Sequence, residues 1–300
     1  MKYKFFCVLL FVSILMGGEV AKAQVTATDY AHQVNTLIGT KGVGLASGYL
    51  YPGATYPFGM VQFTPSYFSK RSGFVINQLS GAGCEHMGNF PTFPVKGKLK
   101  MSPNNILDYR INVTEEKGHS GYYEATVQEN IKAKLTVTER TGMACYEYPE
   151  NQQFGTVIIG GGISATPIEQ AAIVITAPNK CEGYAEGGNF CGLNTPYKVY
   201  FAAEFDTDAL ESGIWKRNEL KPNATFAEGE YSGVYFTFDV NKKKNIQYKI
   251  GVSYVSVENA KENLKAENPG WNFAQIQNLA ETKWNHYLGM IEVEGTNPDR

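Results

Sequence analysis

The sequence lacks an excess of basic residues, because 27 lysines and arginines are balanced by 29 aspartates and glutamates, giving a formal net charge of −2. Proteins that bind a nucleic acid backbone usually carry clustered positive charge, so this balance argues against a nucleic acid partner. Histidine is also scarce, with four residues. None recurs at an HxH or HxxxH spacing, so the spacing gives little support for a histidine metal site at His32, His86, His119 and His286.

Beyond residue 23 the sequence lacks a long apolar run, and no stretch approaches the ~18 apolar residues of a membrane-spanning helix. The start is basic (MKYK), and an apolar run over residues 5–16 and then Ala21-Lys22-Ala23 follow it. This order is typical of a signal peptide over residues 1–23, cleaved before Gln24. Cys7 lies inside the apolar run, which makes a lipid anchor the weaker interpretation. We expect a bacterial protein exported to the periplasm or the extracellular space, with no membrane span.

The sequence has no CxxC pair, so a cysteine zinc site has no support. Export permits disulfides, and the cysteines beyond the signal peptide, Cys84, Cys145, Cys181 and Cys191, allow three pairings. We predict a Cys181–Cys191 disulfide, since the glycine-rich segment between them is suited to a hairpin that places the two opposite each other. Four buried thiols are the alternative.

What the sequence does contain is a core-forming composition, with 43% hydrophobic residues in 300, and mostly strand patterns. Residues 131–138 (IKAKLTVT) alternate apolar and polar side chains, which is the period of a strand with one buried face. Further β-branched or aromatic runs cover residues 156–159, 172–175, 197–205, 234–240 and 248–257. Strands at these intervals, without helices between them, predict an antiparallel β-sandwich over residues 24–258.

The pattern becomes helical over residues 259–300. Residues 258–264 predict a short helix, and a longer one follows Asn272, where Asn272 and Gln275 resemble a capping box. An apolar stripe then recurs at helical spacing, and Gly289 is placed for a left-handed cap. The stripe consists of Phe273, Ile276, Ala280, Trp284, Tyr287 and Leu288. Residues 290–294 predict one more strand.

The densest candidate site is a loop over residues 78–91 (QLSGAGCEHMGNFP), which places three glycines around a cysteine, a glutamate and a histidine. It lacks the glycine spacing of a dinucleotide fingerprint and the lysine of a phosphate-binding loop. Glu85 is its only acid, whereas sugar hydrolysis usually needs two carboxylates. From these residues alone a structural loop is the simpler interpretation. Residues 160–162 (GGG) predict a bulge or turn.

Several segments, taken together and in order, resemble the N-terminal domain of glycoside hydrolase family 92, a family of exported calcium-dependent α-mannosidases. The most recognisable is residues 51–62 (YPGATYPFGMVQ), preceded by residues 34–40 (VNTLIGT). The resemblance extends over essentially all of the chain beyond the signal peptide. The remaining matching segments are LSGAGC at 79–84, GYY at 121–123, LTVTERTG at 135–142, VSYVSVENA at 252–260 and WN at 284–285.

The resemblance implies a mainly β fold, an antiparallel β-sandwich of the galactose-mutarotase-like, carbohydrate-binding type with a short C-terminal helical segment. It also implies that residues 259–300 are a helical linker and strand leading to an (α/α)6 catalytic domain outside this chain. That domain would supply the acid and base of an inverting mechanism and the calcium, so no cofactor is expected here. Mannose-containing glycans are the implied substrates and partners.

The resemblance also makes the loop after residue 77 the contributor to a glycan cleft. Polar side chains there can hydrogen-bond hydroxyls, and aromatic ones can cover an apolar sugar face. The predicted substrate-binding residues are Gln78, Glu85, His86, Asn89 and Tyr67, with Phe90 as a further aromatic. Many relatives have His-Thr-His and an acid where this chain has Asn77-Gln78 and Asn89, so the usual linkage preference of the family does not carry over to this chain.

Alternative interpretations stay open from the sequence. A free-standing lectin-like or interaction module would have the sandwich without the catalytic barrel, and an inert truncated product is a second alternative. A complete hydrolase would need a carboxylate pair within the sandwich, and none is evident. If the chain is a fragment, the surface that normally meets the barrel is exposed, and we expect low solubility.

Overall fold

Two antiparallel sheets form the body of the protein in the computed structural model, which describes residues 28–40, 50–66, 73–81, 87–103, 113–127, 130–188, 190 and 192–292. In these ranges the first sheet has eight strands, in the spatial order β1 (Ala54–Thr55), β2 (Gln62–Pro65), β3 (Phe74–Val75), β4 (Thr92–Lys96), β9 (Phe154–Gly160), β16 (Ser232–Asp239), β13 (Glu211–Lys216) and β14 (Glu219–Pro222). The signal peptide predicted for residues 1–23 lies outside the described residues.

The second sheet has nine strands in the described part of the chain. Their spatial order is β15 (Phe226–Glu228), β10 (Ile168–Ala177), β11 (Lys180–Gly187), β12 (Tyr197–Phe205), β17 (Asn245–Ser253), β8 (Thr141–Glu147), β7 (Ile131–Val137), β6 (Tyr122–Val127) and β5 (Glu115–His119). The helical elements described are a 3-10 turn η1 (Ala31–Gln33) and the helices α1 (Val257–Glu267) and α2 (Phe273–Leu288). The predicted antiparallel sandwich is therefore confirmed.

The core lies between the two sheets and is largely aromatic. Phe205 of β12 meets Phe236 and Phe238 of β16 with ring centroids 5.0 Å apart, and Tyr248 of β17 at 5.2 Å. Such tilted ring pairs contribute beyond the area that they bury. A polar contact also crosses the core, because the Tyr146 hydroxyl of β8 donates a hydrogen bond to Thr92 Oγ1 of β4 at 3.0 Å.

The strands predicted between residues 131 and 257 are confirmed, with one shorter than expected. The run over residues 197–205 is β12, and residues 131–138 contain β7, in which Ile131, Ala133 and Leu135 are buried. The strand predicted over residues 248–257 ends at Ser253, and Ser256 then caps α1, which begins at Val257. The Ser256 hydroxyl accepts a hydrogen bond from the Asn259 N–H at 3.0 Å, which caps the helix.

The second helix follows its predicted pattern at the start but not at the end. Asn272 caps α2 by accepting from the Gln275 N–H at 3.1 Å, and Ile276 and Ala280 are buried. Gly289 has φ −81° rather than the left-handed conformation that we expected. A side chain there would lie 3.0 Å from the Tyr30 ring, so close packing explains the glycine. Residues 290–292 are not in a strand as predicted, since Met290 lies in a turn, Ile291 in a bend and Glu292 in irregular backbone, and residues 293–294 lie outside the described part.

The hairpin that we predicted between Cys181 and Cys191 is wrong. Residues 180–187 form one continuous strand, β11, which pairs with β10 on one side and β12 on the other. Cys181 lies at the start of this strand and is a buried free thiol, whereas Cys191 lies outside the described residues, as does Cys84. Glycines in the segment misled the prediction because they serve close strand contacts, as at Gly183, where a Cβ would lie 2.0 Å from a backbone oxygen of Ala172.

The predicted bulge at residues 160–162 agrees with the structure. The N–H groups of Gly161 and Gly162 both donate to the carbonyl oxygen of Ser232, at 2.9 and 3.0 Å. A Cβ on Gly162 would lie 2.0 Å from the carbonyl oxygen of Gly229. These donors are used inside the fold and are not directed toward a phosphate. No helix in the described residues is both long enough and apolar enough to cross a bilayer.

Candidate functional site

One end of the sandwich gathers the residues that we call the loop end, defined as residues 77–79, residues 87–90, Tyr197 and Tyr254. Residues 77–79 follow β3, residues 87–90 lead into β4, Tyr197 begins β12 and Tyr254 follows β17. In antiparallel sheets the connections between strands collect at the two ends, which brings together segments that are distant in sequence. The loop end includes both ends of the glycine-rich loop predicted from the sequence.

A pair of asparagines joins the two ends of that loop. Asn77 Nδ2 donates to Asn89 Oδ1 at 3.0 Å, and the Asn89 backbone N–H donates to Asn77 Oδ1 at 2.7 Å. Both side chains are buried, with exposed fractions of 3% for Asn77 and 0% for Asn89. Buried amide pairs of this kind fix the relative position of two segments, because breaking them leaves unsatisfied groups.

Two tyrosines extend this amide pair, and sequence reasoning did not identify either. The Tyr197 hydroxyl donates to Asn89 Oδ1 at 3.0 Å, and the Tyr254 hydroxyl lies 3.5 Å from Asn77 Nδ2. Burial raises the pKa of both tyrosines, so both hydroxyls stay protonated at neutral pH. The Asn77–Tyr254 contact spans 177 residues of sequence, a separation at which no local pattern links two residues.

Gln78 is fully buried and its amide is unsatisfied. Neither Oε1 nor Nε2 has a hydrogen-bond partner among the described residues, and the same holds for Asn89 Nδ2. The Gln78 carbonyl oxygen instead contacts the Tyr51 hydroxyl, which also contacts Gln62 Oε1. Burial raises the pKa of Tyr51 above its ordinary value. An unsatisfied buried amide is unfavourable, so such a group warrants a functional explanation.

The backbone that leads into β4 adopts an unusual conformation. Met87, Gly88 and Phe90 all have positive φ, at 56°, 73° and 53°. Side-chain-bearing residues rarely adopt this region, and surrounding structure must hold them there. A hydrogen bond at 2.8 Å from the Ala165 N–H to the Met87 carbonyl oxygen provides one such restraint. The conformation places Asn89 on the buried network.

The structure places some predicted site residues and leaves others outside the described part. Gln78 and Asn89 come together at the loop end but are fully buried, whereas Tyr67, Glu85 and His86 lie outside the described residues. Phe90, the further aromatic expected to cover a sugar, is 1% exposed and packs on the Phe201 ring at 4.2 Å. That expectation for Phe90 is wrong, because its side chain belongs to the core.

A carboxylate beside the loop end has a structural role. Glu267, at the end of α1, accepts hydrogen bonds from Thr138 Oγ1 at 2.6 Å and from the Arg140 N–H at 2.8 Å, and it also contacts Arg140 Nε. These contacts fasten α1 to the turn between β7 and β8. With its oxygens engaged in this way, Glu267 is not placed as a free general acid or base.

One set of potential metal ligands converges elsewhere in the described residues. The ligand atoms of His32, His119 and Glu281 all lie within 4.8 Å of one another, beside α2. The sequence spacing of these residues gave no indication of their proximity. We predicted no metal site anywhere in this chain, and that absence stays a prediction.

Comparison with known proteins identifies relatives over most of the chain. Residues 33–253 match the glycosyl hydrolase family 92 N-terminal domain, and residues 259–300 match the glycosyl hydrolase family 92 catalytic domain. A protein described as an uncharacterized secreted glycosidase of Arthroderma benhamiae is 24% identical, with 95% of this chain and 41% of that protein aligned.

Solved structures of family 92 mannosidases share the fold of this chain. A family 92 α-mannosidase of Bacteroides thetaiotaomicron superposes with a TM-score of 0.77 at 24% identity, over 89% of this chain and 39% of that chain. A family 92 inverting mannosidase of the same species gives a TM-score of 0.74 at 23% identity, over 91% and 38%. This chain therefore spans about two fifths of the length of these relatives, which are aligned over 41%, 39% and 38% of their lengths. The match over residues 33–253 establishes that the chain belongs to glycosyl hydrolase family 92 and contains its N-terminal domain.

Proposed function

We propose that this chain is the carbohydrate-binding, non-catalytic part of an exported α-mannosidase that acts on mannose-containing glycans. Its family membership carries the proposal. The loop end would form one wall of the glycan cleft, and the catalytic domain would form the other. The acid, the base and the calcium ion would belong to the catalytic domain, so the chain alone would be inactive.

The surface around the loop end supports docking of a second domain. Phe58 is 88% exposed, Val255 70% and Leu79 41%. These side chains share one end of the sandwich. Phe58 lies two residues before Met60, whose N–H donates to the carbonyl oxygen of Glu139 in the β7–β8 turn. Val255 follows Tyr254, which contacts Asn77, and Leu79 lies two residues after Asn77. Exposed apolar side chains concentrated on one face are typical of an interaction surface. The catalytic-domain match to residues 259–300 is consistent with a helical partner in the same protein.

The Gln78 amide supports the carbohydrate part of the proposal. It carries a donor and an acceptor that no described group satisfies, a combination that matches a sugar hydroxyl, and because the side chain is fully buried a sugar would reach it only after the residues that cover it moved aside. Asn77, Asn89 and Tyr197 hold the loop ends beside it through hydrogen bonds of 2.7 to 3.0 Å. Their role in this proposal is positioning, whereas Gln78, Glu85, His86 and Tyr67 are the proposed sugar contacts.

Export is a further part of the proposal. The basic start, the apolar run and Ala21-Lys22-Ala23 support cleavage before Gln24 and delivery to the periplasm or beyond the cell. The relative from Arthroderma benhamiae is a secreted glycosidase by its description. The intact mass and the N-terminal residue of the protein exported by its own cell test this: an N-terminus at Gln24 is expected, and retention of Met1 would contradict it.

The same mass measurement tests whether the catalytic domain belongs to this protein. A mass well beyond that of residues 24–300 is expected, and the protein of that mass should release mannose with inversion, as followed by NMR of the fresh anomer. A mass that ends at Arg300, with α-mannoside binding by calorimetry, would replace the proposal with a lectin-like module. If the protein neither releases mannose nor binds α-mannosides at high millimolar concentration, the carbohydrate role is overturned altogether.

A further inference from the structure

A compact group of metal-binding side chains joins three segments that are far apart in sequence. His32 lies in η1, His119 ends β5 and Glu281 lies in α2. His119 Nε2 is 2.7 Å from Glu281 Oε1, and His32 Nε2 is 3.7 Å from the same oxygen. His119 and Glu281 are largely buried, with side-chain exposures of 15% and 13%, while His32 is 49% exposed. One side of the cluster is therefore open to solvent.

The surroundings orient these side chains. Asp29 Oδ2 is 2.7 Å from His32 Nδ1, so the aspartate holds the ring nitrogen that points away from the cluster. The Tyr122 ring stacks on His119 at 5.0 Å, and Gln277 Nε2 donates to Glu281 Oε1 at 2.7 Å. A carboxylate on the distal nitrogen of a histidine fixes its tautomer and is typical of histidines that bind a metal.

The chemistry of the donors selects a class of cation. Two imidazole nitrogens and one carboxylate oxygen are the ligand set of zinc and neighbouring divalent transition metals, and a solvent molecule can complete the shell. Calcium instead prefers six to eight oxygen ligands, so this cluster does not fit the calcium that the family resemblance implies. We propose that His32 Nε2, His119 Nε2 and Glu281 Oε1 bind one divalent transition-metal ion, with Zn²⁺ as the best match.

The distances are close to those that ligation needs. Ligand atoms about 2.0–2.1 Å from a tetrahedral zinc ion are about 3.3 Å from one another. The 2.7 Å between His119 Nε2 and Glu281 Oε1 is a hydrogen bond, which an ion bound between them would replace, and His32 Nε2 lies 3.7 Å from the same oxygen. The two rings stack at 4.0 Å with 28° between their planes. Because a metal lies in the plane of each imidazole, the half-exposed His32 ring has to tilt on binding.

The bound ion would fasten α2 to the sandwich. It would link the N-terminal segment through His32, the second sheet through His119 and the helix through Glu281. Ligation of three separated segments stabilises the folded state in proportion to the free energy of metal binding. This site shares no residue with the loop end and takes no part in mannosidase chemistry.

Zinc binding by the purified chain tests the proposal directly. Tag-free protein, stripped with a chelator, is titrated with Zn²⁺ by calorimetry near pH 7.5, and Co²⁺ is used in parallel because its visible absorption reports tetrahedral ligation. We expect one ion per chain, with binding lost in His119→Ala. His286→Ala is the matched control, since it removes an exposed histidine of the same helix outside the cluster, and it should bind as the wild type does.

Two further variants keep the test decisive. His32→Ala removes the most exposed ligand and should also abolish binding. It serves as the test if His119→Ala fails to fold. Asp29→Asn leaves the three ligands and should weaken affinity by about 10–100-fold, as expected for a positioning residue. No Zn²⁺ binding by the folded wild type, or an unchanged titration in both His32→Ala and His119→Ala, would overturn the proposal.

Discussion

Replacing Asn89 by alanine tests the loop end most directly. The Asn89 side-chain oxygen accepts hydrogen bonds from Asn77 and Tyr197, both at 3.0 Å, and the side chain is fully buried. Asn89→Ala leaves two buried donors without their acceptor, and each loss costs about 1–3 kcal/mol. We therefore expect the free energy of unfolding to fall by about 2–6 kcal/mol, a large part of the ~5–15 kcal/mol typical of a domain.

Urea denaturation followed by tryptophan fluorescence measures this change, because Trp215 is fully buried and reports on the core. Tyr254→Phe is the control, since its hydroxyl lies 3.5 Å from Asn77 and the residue is 42% exposed. That variant should lose no more than about 0.5 kcal/mol. A loss below about 1 kcal/mol in Asn89→Ala would refute the argument that the amide pair holds the two loop ends together.

Asn89→Asp extends the same test to pH. The aspartate keeps an acceptor for Asn77 and Tyr197, and the replaced nitrogen has no partner among the described residues. A fully buried carboxyl group has a raised pKa, so the unfolded state releases its proton at lower pH than the folded state. The stability of the variant relative to wild type should therefore decrease as pH rises from about 4 through the raised pKa. A constant difference across that range would contradict burial of this position.

Two other carboxylates give predictions of different kinds. Glu267→Ala removes the acceptor of the Arg140 N–H and guanidinium and should destabilise the chain by about 2 kcal/mol, measured by urea denaturation, whereas an unchanged midpoint would contradict its fastening role. For Glu124, partial burial raises the pKa, but hydrogen bonds from Tyr122 and Lys117 outweigh it and hold the pKa below the ordinary 4.5. The ionised Glu124 carboxylate therefore stabilises the folded state above pH 4.5, and this stabilisation is lost as pH falls. The difference in unfolding free energy between wild type and Glu124→Gln should narrow toward about pH 3. A difference in unfolding free energy that widens as pH falls would refute the lowered pKa of Glu124.

Local patterns of the sequence predicted the elements whose cause is local. The alternation of residues 131–138 predicted β7, and the side chain of Asn272 predicted where α2 begins, because both signals act within a few residues. Glycines were harder to interpret. A glycine serves a turn, a cap or a close contact, and only tertiary structure decides among these, as Gly183 within β11 and Gly289 beside Tyr30 demonstrate.

The candidate site was predicted only in part, for a related reason. Asn89 and Gln78 were identified because they belong to a conspicuous loop, but their burial depends on side chains supplied by distant strands. Tyr197 and Tyr254 join the network from positions 108 and 177 residues away from their partners. His32 and His119 have no short spacing, and only the packing of η1 and β5 against α2 brings them together. Contacts that depend on topology leave no periodic signal in the sequence.

The helix α2 connects the two regions that carry the proposals. Its Glu281 belongs to the histidine cluster, and six residues later Tyr287 packs against the exposed Phe58 ring at 5.2 Å. Six residues of helix span about 9 Å. The helix is also fastened to the first sheet, since Trp284 Nε1 donates to the Thr55 carbonyl oxygen at 2.7 Å. Although this helix lies within the match to the family's catalytic domain, it packs against the sandwich. A metal ion bound at Glu281 would therefore stabilise the surface on which we propose that the catalytic domain docks.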